Sequence, residues 1–267
     1  MTETPLLAVD KLEVVYHRTI TAVQGVSLRV LPGQIVAILG TNGAGKTTTL
    51  RAISGFLGID DARVTDGSIV FKGRQIENHP PHAVTRLGIV LVPERDKVFP
   101  NLTVAENLAA PFAPSARQRG ASEDFAYHIF PKLRELRHRT AGLLSGGERQ
   151  MLAIASALVC GPQLLLVDEL SLGLAPAMVE ELSARLIQIR REHGLTMVIV
   201  EQNAAVALSL ADYGYVLENG RCVLDGDTAR LRAHGDIQDF YLGQAADSER
   251  RSYRSVKQYR RSRRWYG

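Results

Sequence analysis

Residues 40–47 have the types and spacing of a phosphate-binding loop. They read Gly40-Thr41-Asn42-Gly43-Ala44-Gly45-Lys46-Thr47, which fits the pattern G-x-x-x-x-G-K-[ST]. Glycines in this pattern let backbone N–H groups surround phosphate oxygens, the lysine reaches the β- and γ-phosphates, and the final hydroxyl ligates Mg²⁺. An apolar run precedes the loop, and a predicted helix follows with its N-terminus towards the same anion. The segment therefore predicts a nucleotide site.

A pair of carboxylates follows a second apolar run. Leu164–Val167 is entirely apolar and leads directly into Asp168 and Glu169. In a protein with a phosphate-binding loop, the first carboxylate at such a strand end holds Mg²⁺, and the second can polarise the attacking water as a general base. Without that loop, a solvated strand end would explain the pair better, so the interpretation depends on residues 40–47.

Residues 144–150, Leu-Ser-Gly-Gly-Glu-Arg-Gln, combine a helix start with two glycines. Ser145 is a good N-cap, and Glu148 three residues later completes a capping box. Gly146 and Gly147 weaken the first helical turn, so helix formation alone does not account for them. Bare N–H groups at a helix N-terminus suit an anion, and we expect a second phosphate contact here.

The hydrophobic pattern supplies the elements that must position these residues. Strands are predicted at Leu7–Tyr16, Val23–Val30, Ile35–Leu39, Ser68–Phe71, Ile89–Val92, Leu164–Val167 and Thr196–Val200. Helices are predicted from Lys46 to about Gly55 and over Glu180–His193, and 101–143 has a mostly helical pattern. Asn219-Gly220 favours a type I′ turn in a hairpin over 213–224. Buried strands alternating with helices predict the α/β class with a largely parallel sheet.

Composition excludes several classes of protein. The 267 residues are 45% hydrophobic and 22% charged, which is ordinary for globular domains and rules out collagen-like or wholly disordered chains. Cys160 and Cys222 offer neither a disulfide framework nor metal-ligand spacing, which favours a reducing compartment. Met1–Pro5 has no apolar signal region, and the longest apolar stretch, Met151–Val167, is too interrupted to span a membrane.

The net charge of +4 is concentrated near one end of the chain. Residues 245–267 contain eight Lys or Arg and two acidic residues, so they carry +6 and the other residues −2. Aromatic residues are interleaved with these arginines at Tyr253, Tyr259, Trp265 and Tyr266. Three interpretations stay open: nucleic-acid binding, attraction to anionic lipid headgroups, and a solvated extension.

The loop, the Ser-Gly-Gly-Glu-Arg-Gln segment and the Asp-Glu strand together resemble the motifs of ABC ATPases, in order and in spacing. The resemblance covers about 6–243. It implies a P-loop NTPase of the ABC ATPase type, with a mixed sheet core, an N-terminal antiparallel β-subdomain and a helical subdomain inserted at about 101–160. Residues 244–267 are expected to form a basic, flexible tail outside this domain.

The resemblance also assigns roles by position. It implies ATP binding by Tyr16, Gly40, Asn42, Gly43, Ala44, Gly45, Lys46, Thr47 and Thr48. Tyr16 would stack on adenine, with an ordinary half-buried strand tyrosine as the alternative. Thr47 and Asp168 would hold Mg²⁺, and Glu169 would be the catalytic base. Ser145, Gly146 and Gly147 would contact the ATP held by the opposite subunit of a dimer.

Departures from the general pattern narrow the resemblance. Glu94 stands where the Q-loop glutamine is usual, Gln202 where the switch histidine is usual, and Ala175 where the D-loop has Asp. Together with their flanking residues, these three positions resemble the corresponding motifs of one subfamily, the second ATP-binding subunit of branched-chain amino acid importers. Leu170 replaces a proline expected even there, so we expect a less rigid turn. Gln202 cannot carry positive charge, which predicts weak turnover for this subunit alone.

The function implied is ATP hydrolysis that powers uptake of branched-chain amino acids or a related small solute. Implied partners are a second ABC ATPase subunit, two transmembrane permease subunits and, indirectly, an external solute-binding protein. The location implied is the cytoplasmic face of the bacterial inner membrane, and the cofactors are ATP and Mg²⁺. The alternative is a non-transport ABC ATPase that acts on nucleic acid or the ribosome through the basic tail. A binding module with little turnover is a third reading, which Lys46, Asp168 and Glu169 disfavour.

Overall fold

The computed structural model describes residues 4–95, 97–111 and 116–237. The predicted tail lies outside these residues. The strands are β1 Leu7–Tyr16, β2 Ile20–Val30, β3 Ile35–Leu39, β4 Ala62–Phe71, β5 Arg74–Gln75, β6 Ile89–Val92, β7 Leu164–Asp168, β8 Thr196–Glu201, β9 Tyr213–Glu218 and β10 Arg221–Asp227. The helices are α1 Lys46–Ser54, α2 Pro81–Arg86, α3 Val104–Ala109, α4 Ala116–Ile129, α5 Pro131–Glu135, α6 Gly146–Val159, α7 Pro176–His193, α8 Ala204–Leu210, α9 Thr228–Ala233 and α10 Gly235–Ile237.

The strands form two sheets. The first is antiparallel, with the order β2-β1-β4-β5. The second has the order β10-β9-β3-β8-β7-β6, in which only β10 runs antiparallel to its neighbour. This is the mixed α/β core with an antiparallel subdomain that the ABC resemblance implies.

The central strand β3 divides the core into two layers. Its five residues are fully buried, and they alternate between two clusters of apolar side chains. Ile35, Ala37 and Leu39 pack with α6, α7 and α8, whereas Val36 and Ile38 pack with α1 and the antiparallel sheet. Because β3, β6, β7 and β8 are parallel, their carboxyl ends lie at one edge, where the predicted site residues follow them.

Helices α3 to α6 lie between β6 and β7 in sequence, in agreement with the helical pattern of 101–143. Most differences concern element ends. β4 begins at Ala62 rather than Ser68, because 62–66 pair with β1. α7 begins at Pro176 rather than Glu180, with proline in the first turn where its missing N–H costs nothing. Asn219 and Gly220 both have positive φ, as a type I′ turn requires.

A helix that crosses a bilayer must be both long and predominantly apolar. Within the described ranges, no helix is both long and apolar enough to cross a membrane.

Candidate nucleotide-hydrolysis site

The phosphate-binding loop joins β3 to α1 and depends on glycine at two close approaches. A Cβ on Gly40 would lie 2.5 Å from the Leu217 carbonyl oxygen, and Gly45 has φ +98° with the Ala22 carbonyl 3.0 Å from its Cβ position. Gly43 also has positive φ. Asn42 and Gly43 are exposed, whereas Ala44 is buried. The backbone therefore has the open, left-handed turns of a phosphate cradle.

Lys46 is the buried cation of this site, with 5% of its surface exposed. Its Nζ donates to the carbonyl oxygens of Gly40 at 2.9 Å and Thr41 at 3.2 Å. The same Nζ lies 3.4 Å from Glu169 Oε1. The lysine is thus held between the loop and the predicted general base.

Thr47 and Asp168 meet although they are far apart in sequence. Thr47 Oγ1 donates to Asp168 Oδ1 at 3.1 Å. Burial raises the pKa of Asp168 to about 6, and Glu169 and Glu94 act in the same direction, whereas the Thr47 hydrogen bond opposes the rise. No cluster of three or more His, Cys, Asp or Glu in the described part of the chain could hold a metal alone. A hydroxyl and one carboxylate nevertheless fit Mg²⁺, which takes its other ligands from water and phosphates.

Glu169 has an unusual backbone and a crowded carboxylate. Its φ is +54°, a left-handed conformation that is rare for a residue with a Cβ. The side chain is 8% exposed, and its Oε2 accepts from the Gln202 backbone N–H at 3.3 Å. With Lys46 on its other oxygen, the carboxylate is fixed from two sides. The Gln202 side chain itself is exposed.

Glu94 lies in a local charge network that the sequence did not reveal. Its Oε1 is 3.2 Å from Arg95 Nε. Lys97 is half-buried, and its Nζ donates to Gln150 Oε1 of helix α6. Burial lowers the pKa of Lys97, whereas the charges of Glu94 and Asp168 raise it. The negative charge introduced by Glu94 is therefore offset by two cations.

Glu201 and Ser171 are a second contact that sequence reasoning missed. Glu201 ends β8 and is fully buried. Its Oε1 accepts from the Ser171 N–H at 2.7 Å, and its Oε2 from Ser171 Oγ at 2.8 Å. Burial raises the pKa of Glu201 to about 7, against the effect of these hydrogen bonds. The only signal in the sequence was a charged residue directly after the apolar run Thr196–Val200.

The raised pKa of Glu201 predicts a pH-dependent stability. A carboxyl whose folded pKa is about 7, against an ordinary 4.5, stabilises the fold below pH 4.5 and loses this contribution as pH rises through 7. We compare the unfolding free energy of Glu201→Gln with that of the parent. We expect this difference to shift by about 1–3 kcal/mol in favour of the variant when the pH is raised from 5 to 8. Urea unfolding at both pH values measures it. Exposed Glu180→Gln is the control, and parallel pH profiles of Glu201→Gln and parent would contradict the prediction.

Tyr16, at the end of β1, reaches the start of helix α1. Its hydroxyl lies 3.4 Å from Thr48 Oγ1, and the ring is half-buried. The structure thus brings Tyr16, the predicted adenine-stacking residue, to Thr48 directly after the phosphate-binding loop, although Tyr16 and Thr48 are 32 positions apart in sequence.

The Ser145 segment begins α6 with the expected capping box. Ser145 Oγ accepts from the Glu148 N–H at 3.3 Å, and Glu148 Oε2 accepts from the Ser145 N–H at 2.8 Å. Gly147 has a packing reason that the sequence did not indicate, because a Cβ there would lie 2.5 Å from Met178 Cγ. Ser145 and Gly146 are exposed. No hydrogen bond or ion pair described within 4–237 joins these residues to the phosphate-binding loop.

Comparison with known proteins then decides the family. The family model described as ABC transporter matches residues 23–171, more than half of the chain. The chain belongs to the ABC transporter family. It is an ATPase of that family, which couples ATP hydrolysis to transport. ATPase subunits of ABC transporters work as dimers together with membrane-spanning partner subunits.

Several ABC relatives match nearly the whole chain. It is 42% identical over 239 residues to the high-affinity branched-chain amino acid transport ATP-binding protein BraG of Pseudomonas aeruginosa, covering 89% of this chain and 100% of the relative. The probable branched-chain amino acid transport ATP-binding protein LivF of Archaeoglobus fulgidus is 40% identical, covering 78% and 87%. An ATP-binding cassette of an ABC transporter in its ADP conformation has a TM-score of 0.77 at 25% identity, covering 90% and 99%.

Proposed function

We propose that this chain is the ATP-hydrolysing subunit of an importer that takes up branched-chain amino acids or a related small solute. The observation that carries the proposal is the 42% identity to BraG along the relative's full length. The subfamily residues Glu94 and Gln202 support the same assignment. These similarities give no support to a non-transport ATPase that acts on nucleic acid.

The phosphate groups of ATP would bind to the loop 40–47. Its left-handed glycines turn N–H groups towards an anion, and Lys46 supplies the positive charge for the β- and γ-phosphates. Thr47 and Asp168 would hold Mg²⁺, which when bound neutralises charge on the phosphates during transfer. Tyr16 would stack on adenine, and its hydroxyl contact with Thr48 supports this placement.

Glu169 would act as the general base on the attacking water. The carboxylate already has one oxygen on the Gln202 N–H and the other near Lys46, so its direction is set before the reaction. Gln202 would hydrogen-bond the γ-phosphate without the charge of a histidine. Glu94, with Arg95 and Lys97 beside it, would respond to contact with the membrane subunit.

The signature residues Ser145, Gly146 and Gly147 would contact the ATP of a second ABC ATPase subunit. The exposure of Ser145 and Gly146 at the start of α6 supports a contact with another chain. In this scheme ATP closes the dimer and hydrolysis reopens it. Residues 6–243 would form the ATPase domain, with 101–160 as its helical subdomain.

The remaining partners would be two permease subunits and, indirectly, an external solute-binding protein. The chain would then lie on the cytoplasmic face of the bacterial inner membrane. Phe99, which follows the Glu94 loop, is 59% exposed, whereas its neighbour Val98 packs on the core. An exposed aromatic ring next to this loop supports a contact with the membrane subunit.

Uptake by cells tests this proposal. We expect deletion of the gene to lower uptake of labelled leucine, isoleucine and valine at micromolar concentration, and the intact gene to restore it. Lys46→Ala should fail to restore uptake, because the phosphates lose their buried cation. Lys132→Ala, at an exposed position, is the control. Unchanged uptake of all three amino acids in the deletion strain would contradict the proposed solute.

A further inference from the structure

Glu201 is the most deeply buried carboxyl group near the site, and no step proposed so far uses it. Its side chain has no exposed surface. Both of its oxygens accept hydrogen bonds from Ser171, one from the backbone N–H at 2.7 Å and one from the hydroxyl at 2.8 Å. A buried carboxyl group with this bidentate partner fixes the position of that partner.

Ser171 belongs to the turn that carries Glu169. The chain leaves β7 at Asp168, and Glu169 then adopts φ +54°, a left-handed conformation that is unfavourable for a residue with a Cβ. Such a conformation persists only when the surroundings over-determine it. A proline after Glu169 would restrict the turn covalently, but this chain has Leu170 there.

Val200 and Glu201 of β8 and Gln202 directly after it all bond to this turn. The Val200 carbonyl accepts from the Glu169 N–H at 2.9 Å, Glu201 binds Ser171, and the Gln202 N–H donates to Glu169 Oε2 at 3.3 Å. The turn is therefore held at the Glu169 N–H, at Ser171 two residues later, and at the Glu169 carboxylate itself. Of these three contacts, only the one at Glu201 uses a side chain from residues 200–202, so it alone depends on the residue type at those positions.

We propose that Glu201 is a positioning residue for ATP hydrolysis, because its carboxyl group holds Ser171 and thereby sets the Glu169 carboxylate between Lys46 and the Gln202 N–H. The inference rests on the proposed role of Glu169 as general base. Among the described residues, the side-chain hydrogen bonds of Glu201 reach Ser171 and Asn203 and not the predicted nucleotide ligands. Loss of the tie releases the turn, and a displacement of about 1 Å at a reacting group can lower a rate about 100-fold.

Substitutions at residues 201 and 171 distinguish a positioning role of Glu201 from a role in folding. Glu201→Gln keeps an acceptor for the Ser171 N–H and can donate to Ser171 Oγ, since a hydroxyl accepts as well as donates. Glu201→Ala removes both bonds to Ser171 and also the hydrogen bond from the Asn203 backbone N–H, whereas Ser171→Ala removes only the bond from the Ser171 hydroxyl. The phosphate-binding loop makes none of these contacts, so nucleotide binding should not change.

The test measures kcat, KM and Kd for MgATP, and Tm, using the full chain in its assembled transporter. We expect Glu201→Ala to lower kcat about 10- to 100-fold with KM and Kd within about 3-fold of the parent. Glu201→Gln should retain at least half of kcat. The double variant Glu201→Ala, Ser171→Ala should lose no more than Glu201→Ala alone, because one contact is removed twice. Glu180→Ala is the exposed control.

Two results would overturn the inference. One is parental kcat in Glu201→Ala; the other is a loss of kcat in Glu201→Gln as large as in Glu201→Ala, which would show that the hydrogen bonds do not matter. If Glu201→Ala does not fold, Glu201→Gln and Ser171→Ala decide: the first must retain turnover and the second must lose it at unchanged Kd. If Glu169→Gln retains turnover, the proposed base is wrong. If Glu169→Gln loses turnover but Glu201→Ala retains it, only the positioning role of Glu201 is wrong.

Discussion

Glu169→Gln is expected to lower phosphate release by the assembled transporter about 100- to 10,000-fold, the usual contribution of a general base. Glutamine has nearly the same shape and still accepts the hydrogen bond from the Gln202 N–H. It cannot, however, take a proton from water at neutral pH. The variant should therefore bind MgATP and fail to hydrolyse it, so that ATP accumulates in the closed dimer.

The charge around Lys46 gives a second expectation for this variant. Lys46 Nζ lies 3.4 Å from Glu169 Oε1, and both groups are nearly buried. Removal of the carboxylate charge leaves the cation free to act on phosphate alone, and electrostatic interactions are strong where water is excluded. We expect the affinity for MgATP to stay the same or to rise, which equilibrium binding of a fluorescent ATP analogue measures.

The matched control is Glu180→Gln, the same chemical change on an exposed turn of α7. It should keep parental turnover and affinity. Parental phosphate release by Glu169→Gln in the same complex would contradict the assignment of Glu169. Loss of MgATP binding in that variant would instead indicate a damaged nucleotide site.

The parts of the site that the sequence predicted well are local patterns. The loop 40–47 and the Asp168-Glu169 pair each follow a short apolar strand that is buried on both faces. Because parallel strands end at one edge, two local motifs suffice to predict that Thr47 and Asp168 meet, and they do so at 3.1 Å. The capping box at Ser145 is equally local, since its two partners lie three residues apart.

The contacts that the sequence did not predict join residues far apart in the chain. Glu201 and Ser171 are 30 positions apart, and Lys97 and Gln150 are 53 apart. Each pair looks like unrelated polar residues until the fold brings the ends of β7 and β8 together and places the segment after β6 against helix α6. The early start of β4 has the same origin, because residues 62–66 become a strand only by pairing with β1.

Gly146→Asp is expected to lower turnover of the dimeric transporter about 100-fold or more, without weakening nucleotide binding by the chain that carries it. If the signature segment contacts the γ-phosphate of the partner's ATP, an aspartate there places negative charge against negative charge, and its side chain blocks the approach of the phosphate to a backbone N–H donor. Removal of one such donor costs about 100- to 1,000-fold in other transfer reactions.

The fold should tolerate this substitution. A Cβ on Gly146 meets only Leu174 Cδ2 at 3.5 Å, an ordinary contact, and an acidic residue in the first turn of α6 is favourable for the helix dipole. Gly147 is unsuitable for the test, because a Cβ there would lie 2.5 Å from Met178 Cγ and would disturb packing.

Gly120→Asp on α4 is the matched control, since this exposed helical glycine has open space around it. Single-turnover and steady-state ATPase measurements of the complex, with MgATP binding by the separate chain, distinguish the two variants. Only an inter-subunit contact predicts that Gly146→Asp binds MgATP normally alone and fails in the dimer. Parental turnover in the dimer would place the signature segment away from the partner's nucleotide, and weakened binding by the separate chain would place it in the chain's own site.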